Sequence, residues 1–203
     1  MNPAILRRYI ILMILAMAVA AAFTLGYDFF TAGAPGDYYV RKGDIRLGDG
    51  KYDEALENFD RALEEAPNHR GAIMGRAVVF TQTERYNEAI AEYQHLIRFL
   101  EDTLVEDDST GKGTLAAAYA NRGIVYDRQG KYQDALDSYI EALRTDEGAV
   151  SGPDVVHKIL YGSTGVSSVR KRAQYLYEQL KLPEDQRLLR IPEIDDMQRM
   201  YKP

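Results

Sequence analysis

The chain has 203 residues, 28% of them charged, and a formal net charge of −6. That balance excludes a partner held through its phosphate backbone, because nucleic acid needs a basic stripe to bind. With no cysteine there is no disulfide, thiolate chemistry or lipidated cysteine, and with no tryptophan the fifteen tyrosines carry the large-aromatic packing.

In chain order, Arg7 and Arg8 precede residues 9–27, a run of 19 without a charge, and Asp28 follows. At about 1.5 Å rise per residue a helix of that length spans roughly 28 Å, close to the hydrocarbon thickness of a bilayer. The spacing predicts a transmembrane helix over 9–30. The basic flank keeps residues 1–8 in the cytoplasm and sends everything past Asp28 across the inner membrane into the periplasm. Tyr9 at one end and Tyr27, Phe29 and Phe30 at the other suit the two interfacial belts. The competing reading is a secretory signal peptide, cut after the A-x-A of Ala20, Ala21 and Ala22 and ahead of Phe23. The apolar run exceeds the roughly 7 to 15 residues of a signal core, which favours a retained anchor. A linker of small residues, 31–35, leads through Pro35 to the first helix start.

Residues 50–63 read GKYDEALENFDRAL, 85–96 read RYNEAIAEYQHL and 130–143 read GKYQDALDSYIEAL. The first two heading tyrosines, Tyr52 and Tyr86, lie 34 residues apart, the period of a helix-turn-helix solenoid. Ala55, Ala89 and Ala135 are small where two antiparallel helices approach, and Phe59, Tyr93 and Tyr139 stand four residues on. Ile90, Tyr93, Ile97, Leu100 and Leu104 keep helical spacing beyond the second repeat. Tyr132 comes 46 residues after Tyr86, so twelve residues are inserted. The polar stretch 106–113 predicts a break there, with the third repeat starting at Leu115. Past about Thr145 the period fails. Residues 153–161 predict a short helix, and 166–182 a second with Val169, Ala173, Leu176, Tyr177 and Leu180 on one face. Together they read as a degenerate capping pair over 148–182, with Arg170, Lys171, Arg172, Glu178 and Gln179 facing water. Pro183 ends it. The tail, 183–203, reads as extended, with apolar anchors at Leu188, Leu189, Ile191, Ile194 and Met197 that dock on the solenoid or on a partner.

The pattern resembles the tetratricopeptide repeat (TPR). The first copy supplies Tyr39, Gly43, Tyr52, Ala55, Phe59, Ala62 and Pro67, with Arg46 where an aromatic is expected. The second supplies Ile73, Ala77, Phe80, Tyr86, Ala89, Tyr93 and Leu96, and the third Tyr119, Gly123, Tyr126, Gly130, Tyr132, Ala135, Tyr139 and Ala142. Glu101 and Glu147 replace the closing proline of the later copies, so their second helices run on. The resemblance, to membrane-anchored bacterial members, implies an all-α, right-handed solenoid of three repeats over 36–147 and a concave groove built from first-helix positions. Those positions here are Val40, Arg41 and Asp44, then Met74, Gly75 and Val78, then Ala120, Asn121 and Ile124, the candidate partner-binding residues. Chaperone-binding members clamp a C-terminal carboxylate with lysine, asparagine and arginine. Val40, Asp44, Gly75, Ala117 and Asn121 stand at those places, so the clamp is missing save for one asparagine. A low floor with Met74, Val78 and Ile124 suits an amphipathic helix or an extended apolar segment. Alternatively, the small residues only set helix packing.

Signals for chemistry are weak. His69, His95 and His157 sit in separate segments without a second ligand at metal spacing. Glu101, Asp102, Glu106, Asp107 and Asp108 lack the alternating ligands and central glycine of a calcium loop. The TGKG around Lys112 lacks the first glycine and the Ser/Thr of a phosphate loop. No serine or lysine shows a neighbouring base. The expectation is a non-catalytic scaffold or adaptor, without metal or cofactor, anchored in the inner membrane. It binds a protein segment and supports a membrane-associated or periplasmic complex. Cleavage of the N-terminus would make it a soluble periplasmic module for peptide or cell-wall ligands, and self-assembly as a homo-oligomer is a further role.

Overall fold

A computed structural model of the chain describes residues 6–7, 10–21, 33–150, 169–191 and 200. The helices among them are α1 (residues 10–21), α2 (Asp37–Gly48), α3 (Tyr52–Glu65), α4 (Arg70–Gln82), α5 (Tyr86–Thr103), α6 (Ser109–Arg128), α7 (Tyr132–Val150) and α8 (Val169–Leu180). A 3-10 turn follows at Glu184–Gln186. The helices from α2 onward form a solenoid of antiparallel hairpins, α2 with α3, α4 with α5 and α6 with α7, and α8 packs on α7.

The three hairpin turns have one geometry. A residue in the left-handed region ends each first helix: Gly50 at φ 72°, Gly130 at φ 74°, and between them Glu84 at φ 59°. The next amide then reaches back to the helix, Lys51 to Arg46 O, Arg85 to Phe80 O and Lys131 to Tyr126 O, at 2.8–2.9 Å. Glycine takes that conformation without steric cost and glutamate does not, so the second turn carries strain that the others avoid.

Inside each hairpin the repeated aromatic fills the crossing. Ala55, Ala89 and Ala135 are fully buried, and so are Phe59, Tyr93 and Tyr139. Small residues opposite are required: a Cβ on Gly43 would lie 2.6 Å from the Phe59 ring, and one on Gly123 at 2.6 Å from that of Tyr139. Arg46, the departure from the aromatic pattern, instead pairs with Glu54 across the first hairpin at 3.1 Å.

The insertion is not the loop that residues 106–113 predict. The break is confined to residues 104–108, and α6 begins at Ser109, six residues ahead of Leu115. Two contacts set this start. The Asp108 carboxylate accepts from Gly111 N at 2.7 Å, capping the helix, and Leu104 closes on Gly111, which has no room for a Cβ. The extra residues lengthen α5 and α6. α7 likewise runs on past Glu147 to Val150, bent at Asp146, where the backbone is extended.

The capping pair lies partly outside the described residues: 153–161 is among those left undescribed, and 166–182 appears as α8. Here Arg172 corrects the expected solvent-facing set. It is 2% exposed and makes a bidentate pair with Asp127 of α6, both bonds 2.7 Å. Of the tail anchors, Ile194 and Met197 are not described. Leu189 packs on the third-repeat core and Leu188 is exposed. Of the anchor predicted over 9–30, residues 9 and 22–30 are not described. Among the described residues no helix is long and apolar enough to cross a membrane.

Candidate functional site

The first helices touch one another, α2 against α4 and α4 against α6, whereas the second helices meet at most marginally. They therefore make the narrower, inner layer of the stack. On it, Arg41 is exposed and Val40 and Asp44 are half-buried. The other six candidates, Met74, Gly75, Val78, Ala120, Asn121 and Ile124, are buried. A Cβ on Gly75 would stand 2.3 Å from Phe59 Cζ, so this position faces the first hairpin's core. Asn121 Nδ2 lies 3.5 Å from Met74 Sδ, tying the second and third first helices together. α4 buries Ile73, Met74, Gly75, Ala77, Val78 and Val79, not a single stripe, which marks a helix enclosed on all sides. The candidates thus divide into an accessible edge on α2 and a covered apolar layer behind it.

The polar groups around this layer are mostly joints between repeats. At the start of α4, the His69 ring accepts from Ala72 N through Nδ1 at 3.4 Å and bonds Asp37 Oδ1 through Nε2 at 2.9 Å. The His69 hydrogen bond holds the Asp37 carboxyl below the usual range. Arg70 reaches Asp108 at 2.7 Å and, with the Gly111 amide, lowers that carboxyl too. Arg76 spans Asp60 at 2.9 Å and Glu92 at 2.6 Å, linking α3, α4 and α5. Burial pushes the Tyr119 hydroxyl up to about 12, helped by the Glu101 carboxylate to which it donates. Burial raises the Tyr93 hydroxyl as well. Among the described residues no group of three His, Asp or Glu could hold a metal ion.

Two features escaped the sequence reading. The first is the Asp127–Arg172 pair, which Tyr139 joins by donating to Asp127 at 3.2 Å. A signal for it existed: counting four residues on from Gly43, Ala77 and Gly123 gives Leu47, Thr81 and Asp127. An acid at a core-facing place needs a cation, and Arg170, Lys171 and Arg172 were at hand. The second is a polar cleft of about 700 Å³ at the junction of the second and third repeats. Thr81, Glu84, Tyr86, Arg128 and Tyr132 line it together with Arg190 from the tail. The C-terminal segment therefore reaches the turn end of the second and third hairpins.

Comparison with known proteins agrees with this geometry. Residues 40–100 and 116–148 match tetratricopeptide repeat models. Heat shock protein STI1 of Saccharomyces cerevisiae is 26% identical over 124 residues, 60% of this chain and 19% of that protein. The chain therefore spans about a fifth of that relative's length. The solved first TPR of Spaghetti (RPAP3), bound to HSP90 peptide SRMEEVD, superposes with a TM-score of 0.51 at 15% identity, over 73% of this chain and 94% of the other. The Sgt2 TPR domain from Aspergillus fumigatus gives 0.49 at 13% identity, over 75% and 88%. Over residues 40–100 and 116–148 the chain is thus similar to tetratricopeptide repeats.

Proposed function

We propose that the chain is a non-catalytic scaffold or adaptor whose repeats bind a segment of another protein, held at the inner membrane by its N-terminal residues with the repeats in the periplasm. The observation that carries the binding reading is the inner layer itself: an accessible edge of Val40, Arg41 and Asp44 beside an apolar floor of Met74, Val78 and Ile124. The solved Spaghetti repeats were bound to an acidic peptide, which supports peptide binding as a use of this fold. The ligand here differs in chemistry. Gly75 is backed by Phe59 and Asp44 is an acid, so a terminal carboxylate finds no cationic clamp. An amphipathic helix or extended apolar segment fits better. For the anchor, support comes from α1, which exposes Ile10, Ile11, Leu12, Met13, Ile14, Leu15, Met17 and Val19 together. So large a contiguous apolar surface marks a membrane or protein contact.

Cross-linked pull-down from detergent-solubilised membranes tests the binding. A discrete partner should be recovered with the native chain and lost with Arg41→Glu/Asp44→Lys. Recovery of none, or of the same partner by both, refutes the groove reading. Protease added outside the inner membrane should cut the repeats, and cutting only after lysis refutes the topology. A mature N-terminus at Phe23 would replace the anchored form with the soluble module.

A further inference from the structure

The last turn of the structure brings the chain back along its own cap. After Pro183 and the 3-10 turn, residues 187–191 run beside α8, and three side chains of that helix hold them. Gln179 Oε1 accepts from Leu188 N at 2.7 Å, the Tyr175 hydroxyl donates to Leu188 O, and Arg172 Nη2 donates to Leu189 O at 3.0 Å. Positions 172, 175 and 179 form one stripe of a helix. All three bonds go to main-chain atoms, so they read an extended backbone whatever its sequence. Side chains add the selectivity. Residues 187, 189 and 191 are half-buried and 188 and 190 exposed, the alternation of a strand lying on a surface. Leu189 packs on the core of the third repeat. The donor that grips Leu189 O is fixed in advance, because Asp127 holds the same guanidinium by two bonds.

We propose that the Arg172, Tyr175 and Gln179 stripe is a peptide site for an extended segment with apolar residues at the places of Leu189 and Ile191, and that its resident ligand is the chain's own 187–191. The site is separate from the α2 edge and stands whether or not the groove binds a partner. Its consequence does rest on the groove reading. Met200, further along the tail, packs against the core clusters of the second and third repeats, so displacing the tail would bare apolar surface on those repeats to a partner.

The test uses the full chain and a labelled synthetic peptide of residues 184–203. A tethered copy competes at an effective concentration of about a millimolar, so the native chain should bind the free peptide weakly. Leu188→Pro removes the Leu188 amide proton and disables the tethered copy. This variant should bind the peptide at least about tenfold more tightly. Adding Tyr175→Phe and Gln179→Ala to that variant removes two main-chain contacts and should weaken binding by roughly five- to one-hundredfold. Equal affinity of the native chain and the Leu188→Pro variant, or no effect of the added pair, overturns the proposal. Residue-resolved hydrogen exchange gives a readout without a proline. The Leu188 amide should be protected in the native chain and lose that protection in Gln179→Ala, and an unprotected native amide would equally overturn it. None of these measurements involves a partner, so a failed pull-down leaves the clip standing and a failed clip leaves the groove standing.

Discussion

Gly75 separates a packing position from a groove position, and alanine decides between them. Its absent side chain points at Phe59: a Cβ there would lie 2.3 Å from Cζ and 2.5 Å from Cε1. Carbon atoms prefer about 3.5 to 4.0 Å, so the ring would have to retreat by more than an ångström. The ring has little room to do so, because it is fully buried and Gly43 also stands close, with 2.6 Å from Cε1 to where its Cβ would be. Gly75→Ala should gain about 0.8 to 1.0 kcal/mol from helix propensity and lose about 1 to 3 kcal/mol to overpacking, leaving it destabilised by up to about 2 kcal/mol. Gly48 is the control. It is the last residue of α2 rather than an interior one, and nothing stands within 4 Å of an added Cβ, so Gly48→Ala should be stabilised by up to about 1 kcal/mol. Urea denaturation followed by circular dichroism reads both. Shrinking the ring with Phe59→Leu should make the Gly75→Ala cost smaller, so the double variant falls short of the sum of the two singles. If Gly75→Ala is stabilised as much as Gly48→Ala, the position faces open space and the burial argument for the inner layer fails.

Other expectations follow from single contacts. Arg172→Met leaves Asp127 buried without its cation and should cost about 3 to 5 kcal/mol, while Asp127→Leu/Arg172→Met should recover much of that; an additive double variant would refute the coupling. Glu84→Gly relieves the left-handed backbone of the second turn and should stabilise the chain by about 1 kcal/mol, and a fall in the urea midpoint would refute the strain. Asp108→Ala removes the cap of α6 and the Arg70 pair and should lower the thermal midpoint, whereas Asp107→Ala, one residue before, should leave it unchanged. For acid, the sign follows from the lowered Asp37 carboxyl. Its contribution is fully present above the ordinary value of 3.8 and disappears as pH falls through the lower folded value. Stability against pH below 3.8 should therefore be flatter for Asp37→Asn than for the native chain.

What could be read in advance, and what could not, divides by the range of the interaction. Tyr52, Ala55 and Phe59 recur as Tyr86, Ala89 and Tyr93 because one crossing between neighbouring helices dictates all three, and any local pattern repeated in phase declares itself. The insert misled because composition is a weak guide to a helix start. Residues 106–113 are polar enough for a loop, yet one carboxylate, Asp108, supplies the cap that lets the helix begin six residues early. Gly75 and Asn121 kept their family positions but turned out to be buried, since the side on which a first helix is covered depends on what lies across the stack. Asp127 and Arg172 are 45 residues apart, and neither is unusual in its own segment; only a register placing Asp127 beside Leu47 and Thr81 shows that an acid has entered a column without another charge. The tail is the same problem at longer reach. Leu189 and Met200 appear in the sequence as scattered apolar residues in a proline-containing end, and they acquire meaning only once α8 has formed and offered Arg172, Tyr175 and Gln179 in a row. Repeats make a binding surface legible from their own period, but what covers that surface is written elsewhere in the chain, in residues that obey no period.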